Sequence, residues 1–224
     1  MSEKHPLILS ASRSSWVLPA EHGGEKDKAC EALRQLVLER DKGACYYCGF
    51  TSARWQEVHP LDDDHSDPSP SNAKRWATVC PFCHQCFHLG AAGAANGGIL
   101  IWLPEVSQEQ LHHLARAIFV ASLDESSPMA ASAKALETAL ESRAQFLERH
   151  FSEDASDPAF MGQVFLSLKD DYSKRDKFLK NIRLLPQPSR FGAQIAYWAQ
   201  TTFRDLPPAT WSKLIADPDL FSQE

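Results

Sequence analysis

Two Cys-x-x-Cys pairs are the residues of this chain best suited to chemistry: Cys45 and Cys48 in Cys45-Tyr46-Tyr47-Cys48-Gly49-Phe50, and Cys80 and Cys83 in Cys80-Pro81-Phe82-Cys83-His84. Two intervening residues let both sulfurs of a tight turn point at one ion, and two such pairs complete a tetrahedral set. The spacing therefore predicts one four-thiolate zinc site of the structural kind. Gly49 can take the positive φ of a turn that wraps a metal, and the segment after Cys83 can start a helix. Iron–sulfur ligation and redox use are the alternatives that the same spacing leaves open. A thioredoxin-like motif needs one pair beside a βαβ pattern, and a disulfide framework needs a short secreted chain; neither context is present. Cys30 and Cys86 lie outside the four. Cys86 competes with Cys83 on spacing, although a buried free thiol is the plainer reading.

Histidines form the second candidate set. His84 and His88 stand four apart on an expected helix and share a face, a spacing that suits metal ligands as well as core or surface filling. His59 precedes a polar loop that carries Asp62, Asp63, Asp64 and Asp67, and Asn72 closes it. Four carboxylates there repel a phosphodiester unless a metal lies between them.

The elements that must position these groups follow from periodicity. Leu7-Ile8-Leu9 and Trp16-Val17-Leu18 read as edge strands. Ala29, Leu33, Leu36 and Val37 line one face of a helix over 25–41 that Gly43 stops. Residues 54–60 read as a strand through Trp55 and Val58, residues 75–79 as a second, and residues 99–103 as a buried third. A helix is expected from Cys83 to Gly90, followed by a mobile small-residue loop over 91–98. Ser107-Gln108-Glu109-Gln110 has the form of a capping box for a helix carrying Leu111, Leu114, Ala115, Ile118 and Phe119. One helix is expected over 129–151 with Leu136, Leu140, Ala144 and Leu147 as its stripe, and another after the N-cap Asp157 and first-turn Pro158. Residues 169–190 hold seven Lys or Arg against three Asp, which reads as a solvated helix face, a contact for an acidic partner or a membrane-surface contact. The C-terminal aromatics Tyr197, Trp198, Phe203 and Trp211 cap the core or line a groove for a partner helix.

With 224 residues, 43% of them hydrophobic, the chain can bury a real core. Its net charge of −6 argues against tight non-specific nucleic-acid binding, which depends on Lys and Arg releasing counterions. A zinc-stapled nucleic-acid-binding module would have only residues 169–190 as its footprint. No apolar run approaches the roughly 20 residues that cross a bilayer, and no secretory leader pattern opens the sequence. The cytoplasm is the expected address.

Two resemblances attach to these residues. Arg40-Asp41, the knuckle Cys45-x-x-Cys48-Gly49, His59, Asn72 and Cys80-x-x-Cys83-His84 resemble the zinc-containing HNH endonucleases. That likeness implies a ββα-metal unit with His59 as general base, Asn72 orienting it, and His84, with His88 as a possible second, as ligands of a catalytic divalent ion. In that family a proline follows the histidine about three residues later, whereas here Pro60 follows His59 directly. The second resemblance covers most of the chain. Cys45-Tyr46-Tyr47-Cys48-Gly49-Phe50, the run Val79 to Phe87, Ile101-Trp102-Leu103-Pro104-Glu105-Val106-Ser107 and Ser156-Asp157-Pro158-Ala159 are similar to the DotN (IcmJ) family of type IVB secretion systems. It implies a cytoplasmic zinc-binding protein of HNH-like fold that binds the C-terminal region of a DotL-like coupling ATPase, alongside other subunits of the coupling complex, and so associates with the inner membrane. In that family the fold serves assembly and not cleavage.

The combined expectation is an α+β chain. Residues 1–24 pack on the core, 25–106 form an HNH-like (ββα, treble-clef-type) zinc-knuckle domain, and 107–224 form a mainly helical region. Cys45, Cys48, Cys80 and Cys83 hold one structural Zn2+, and no residue is catalytic. The alternative is a metal-dependent HNH endonuclease using His59, Asn72, His84 and His88.

Overall fold

A computed structural model describes residues 5–11 and 25–211. The expected strand at Trp16-Val17-Leu18 lies outside the described residues, as does everything after Trp211.

Helix α1 (Glu25–Arg40) forms as its periodicity predicts. Leu33 and Val37 are fully buried against Trp76, whereas Leu36, expected on the same stripe, is exposed. Gly43, at φ +65°, ends the turn by donating its N–H to the Leu38 carbonyl at 3.0 Å. The helix end is pinned to the rest of the fold by the Arg40–Asp41 pair. Arg40 Nη1 and Nη2 reach the carbonyls of Ala73 and Trp76 at 2.7 Å each, and Asp41 Oδ2 accepts from the Thr78 N–H at 2.8 Å.

That carboxylate sets a pH dependence. Burial works to raise the Asp41 pKa, but the hydrogen bonds from Arg40 and Thr78 prevail and hold it below its usual 3.8. A folded pKa below the unfolded one means stability that is complete above the unfolded value and is lost as pH falls through the folded one. Asp41→Asn should therefore cost about 2 kcal/mol at neutral pH, with the deficit closing in acid; urea unfolding at pH 7 and pH 3 checks it, and an equal deficit at both would count against this account.

Strands β1 (Glu57–Pro60) and β2 (Trp76–Val79) pair antiparallel with His59 opposite Ala77. The strand expected from residue 54 starts late because Trp55 sits at φ +70°, a turn conformation, with its ring exposed. Gln56 folds back instead, its side-chain amide donating to the carbonyls of Gly43 at 2.7 Å and Phe50 at 3.0 Å. The acidic loop is gathered from below: Arg75 Nη2 contacts Asp62 at 2.8 Å and Asp64 at 3.0 Å.

After β2 come α2 (Pro81–His84), a 3-10 turn and α3 (Leu89–Ala94). The single helix to Gly90 and the mobile loop expected over 91–98 are both corrected. The small residues of α3 allow close approach to α7 (Pro158–Ser167): a Cβ on Gly93 would lie 2.3 Å from the Ala159 nitrogen, and one on Gly162 would lie 2.8 Å from that of Gly90. Along the edge of this region the N-terminal segment adds backbone bonds from Ser10 N–H to Cys86 O at 2.8 Å and from Leu89 N–H to Ser10 O at 3.0 Å. Leu9 and Ala11 are buried there, but Leu7-Ile8-Leu9 forms no strand.

Strand β3 (Gly98–Trp102) is the buried strand that was expected, and its partner β4 (Ile182–Pro186) comes from the segment read as basic. The solvated helix face expected there is replaced by a 3-10 turn, the short α8 (Arg175–Phe178) and this strand. Arg183 remains part of the framework, its Nε donating to the Val106 carbonyl at 2.8 Å. Alternation along the two strands separates two cores: Ile101 and Leu185 face the cysteine-bearing cluster, and Leu100, Ile182 and Leu184 face a second built on Leu89, Leu147, Met161 and Phe165.

The capping box at Ser107 is complete at the start of α4 (Gln108–Ser122), with Ser107 Oγ accepting from Gln110 N and Gln110 Oε1 from Ser107 N. The expected 129–151 helix is two, α5 (Pro128–Glu141) and α6 (Ala144–His150). They break where Arg143 turns to Glu105, at 2.8 Å, and to the Trp102 carbonyl at 3.3 Å. Leu136, expected on the stripe, is exposed, and Ala130 and Ala133 are buried in its stead. Asp157 caps α7 as predicted. Helix α9 (Gly192–Gln200) drives Trp198 and Ile195 into the core, so Trp198 does cap it from within. The described residues form an α+β fold with two two-stranded sheets, and no helix among them is long and apolar enough to cross a membrane.

Candidate metal centre

The knuckle is a short hairpin. Cys45 N–H bonds to Phe50 O at 3.0 Å and Gly49 N–H to Cys45 O at 2.8 Å, with Gly49 at φ +74° as the turn requires. Tyr46 N–H then donates to Thr78 O at 2.8 Å, which fastens the hairpin to β2 two residues before Cys80. Cys80 is the N-cap of α2, so Cys83 falls on its first turn. These connections bring the sulfurs of Cys45, Cys48, Cys80 and Cys83 within 4.8 Å of one another.

That set fits a tetrahedral ion. Four sulfurs about 2.3 Å from a zinc ion stand about 3.8 Å from one another, and those of Cys48 and Cys80 are 3.7 Å apart. Burial pushes the Cys80 and Cys83 thiols up, whereas hydrogen bonds with the neighbouring cysteines pull Cys48 down; a bound cation favours the thiolate at all four. Cys86 is left out: its buried thiol is pushed up by desolvation and its Sγ lies 3.5 Å from the Phe82 carbonyl. Cys30 is exposed on α1.

Sequence reasoning took only the apolar face of α4 and missed its polar one. Gln108, His112 and Arg116 recur at i, i+4 and i+8 and are all buried. Arg116 Nη2 donates to Cys80 Sγ at 2.7 Å and lies 3.8 Å from Cys48 Sγ, while the guanidinium packs 4.0 Å from the Phe50 ring centroid and 4.8 Å from that of Phe82. No carboxylate pairs with it among the described residues, so the sulfurs are its counter-charge. Gln108 is fixed by the backbone of β4, accepting from Leu184 N–H at 2.9 Å and donating to Leu184 O at 2.8 Å. Its remaining N–H points at His112 Nε2 at 2.8 Å. His112 is kept neutral, burial pushing its pKa down to about 3. Its proton therefore resides on Nδ1, which donates to Cys83 Sγ at 3.2 Å. Two donors thus face the sulfur cluster, an arrangement that stabilises thiolates bound to a cation.

The structure brings His59, His84 and His88 together. Asn72 is at the surface, bonded to Asp67 in the acidic loop. His59 is 2% exposed and stacks on Phe87 at 4.4 Å. His84 Nδ1 contacts Glu57, and its Nε2 is 3.2 Å from His88 Nε2. A fourth ring, His65, which sequence reasoning passed over, completes the group from the acidic loop: His59, His65 and His88 offer ligand atoms within 4.8 Å of one another.

No protein-family model matches the chain. Among curated proteins it is 34% identical over 203 residues to "Type 4 apparatus protein DotN" of Legionella pneumophila subsp. pneumophila (strain Philadelphia 1), an alignment covering 89% of this chain and 92% of that one. An alignment of that identity, spanning nearly the whole of both proteins, shows that the chain belongs to the DotN family.

Proposed function

We propose that this protein is a zinc-stabilised component of a type IVB secretion coupling complex, binding the C-terminal region of the coupling ATPase and helping to assemble the platform that recruits effectors. The observation that carries this reading is the near full-length similarity to a type 4 apparatus protein. The four-sulfur cluster supports zinc as the ion, since closed thiolate sets are its structural sites. The zinc would hold the knuckle to α2 and leave the helices free to present a surface. The HNH-like reading of β1, β2 and α2 is part of the same proposal.

The reading puts the partner segment against the helical side, where two aromatics are exposed together. Phe151 and Phe178 are each nearly half exposed with rings 5.4 Å apart, and Phe178 in turn leans on the buried Phe165. Two exposed aromatics in contact offer an anchor of the type that partner segments use. The nuclease alternative has less support: the Asn72 amide is engaged by Asp67, and both ring nitrogens of His59 are shielded from solvent.

The test is co-purification of the full chain with the C-terminal segment of its coupling ATPase. Wild type should retain the segment, and Phe151→Asp/Phe178→Asp should lose it at least tenfold while keeping full zinc content. Failure of the wild type to retain the segment would overturn the proposal.

A further inference from the structure

We propose that His59, His65 and His88 form a second metal site, separate from the sulfur cluster, for a divalent first-row ion such as Zn2+. The three imidazoles meet pairwise, with ring centroids 5.1, 5.2 and 5.7 Å apart. Their ligand atoms fall within 4.8 Å of one another. Three imidazoles suit Zn2+ and its neighbours better than Mg2+ or Ca2+, which prefer oxygen.

A second observation points at a ligand. His59 is 2% exposed, yet neither of its ring nitrogens has a hydrogen-bond partner among the described residues. The Asp63 Oδ1 atom beside it, 3.5 Å from His59 Nε2, is buried and unpartnered in the same way. Buried polar atoms left unsatisfied are costly, and a cation held by the imidazoles would satisfy His59 and lie beside the Asp63 charge. Asp63 also holds φ +58°, an uncommon conformation for a residue other than glycine.

The surrounding hydrogen bonds aim the remaining rings. His65 Nδ1 engages the Asp63 carbonyl at 3.2 Å, so ligation falls to its Nε2. His84 Nδ1–H donates to the Glu57 carboxylate, which makes His84 Nε2 an acceptor for His88 Nε2–H at 3.2 Å. His88 Nδ1, buried and without a partner, then carries a lone pair. Metal-bound histidines are oriented by such outer contacts on the opposite nitrogen. His84 and Glu57 are thus positioning residues here, not ligands. A cleft of about 440 Å³ lined by His65, His84 and His88 provides the way in. A filled site would tie the acidic loop to the turn after α2 and would occupy the lone pair that a hydrolytic His59 would need.

This site stands apart from the assembly role and is tested without any partner. Full-length protein is dialysed against a slight excess of Zn2+ and then against metal-free buffer, and zinc per chain is measured by mass spectrometry. Two equivalents are expected in wild type and one in both His65→Ala and His88→Ala. With Co2+ in place of zinc, the near-ultraviolet sulfur-to-cobalt charge transfer should be unchanged in both variants, showing an intact thiolate centre, while the ligand-field bands of the histidine site disappear. One equivalent in wild type, or a second that survives in either variant, would overturn the proposal.

Discussion

Cys80→Ser will lose the bound ion and the cooperative fold together. Cys80 is fully buried, its sulfur is 3.7 Å from that of Cys48, and it receives the shortest bond from Arg116. Removing it opens the tetrahedron and strands a buried guanidinium beside an alcohol. Structural zinc contributes about 10–16 kcal/mol to folding in small zinc modules, against a total stability of about 5–15 kcal/mol for ordinary domains. The rest of this fold cannot absorb that loss, because Cys45, Cys80 and Cys83 lie in the same core cluster as Phe82, Leu111 and Trp198. Thermal unfolding with zinc quantified on the same sample checks it. A chelator strong enough to strip wild type should reproduce the variant. Cys86→Ser is the contrast: it should keep full zinc content and lose only about 1–3 kcal/mol, the cost of a poorly paired hydroxyl. A Cys80→Ser protein that unfolds at the wild-type temperature would show that the cluster holds nothing together.

The second large effect is expected at Arg116. A tetrathiolate zinc centre carries two net negative charges, and burial makes them costly unless a cation lies close. Arg116→Met keeps the aliphatic bulk between Phe50 and Phe82 but deletes the charge, and zinc affinity should fall about 10–100-fold, the range for removal of an outer partner of a metal site. Competition with a chromophoric chelator reads this directly. Arg116→Lys should recover part of the loss, because an ammonium keeps the charge but lacks the flat face that packs on the rings. Unchanged affinity in Arg116→Met, with Arg116→Lys no different from it, would mean that the sulfurs do not feel the guanidinium.

The parts of this arrangement that sequence can show are those written in local spacing. The Cys-x-x-Cys pairs, the Gly49 turn, the Ser107 box and the Asp157 cap each depend on residues within four positions, and each forms as expected. What stayed hidden depends on distant contacts. Strand β4 lies in a stretch dominated by Lys and Arg, and only the alternation Ile182-Arg183-Leu184 hinted at it before β3 was seen to need a partner. The break between α5 and α6 is decided by Glu105 and Trp102, some forty residues away. Small residues over 91–98 suggested mobility, although close packing on α7 demands the same composition. His65 looked like loop filler, since only the folded chain carries it to His59 and His88. The stripe Gln108, His112, Arg116 was visible at helical spacing, and an apolar-only search overlooked it.

The hold that Leu184 has on Gln108, 76 residues away in sequence, has a bearing on how this protein is made. As the ribosome delivers the chain, all four thiols and the whole of α4 emerge well before β4 exists. During that interval His112 has no glutamine anchored to set its tautomer, and β3 has an open edge. The nascent polypeptide thus passes through a stage in which its sulfurs are ready for an ion while their outer support is unfinished, and early capture of that ion would keep the thiols from oxidation until the last strand arrives.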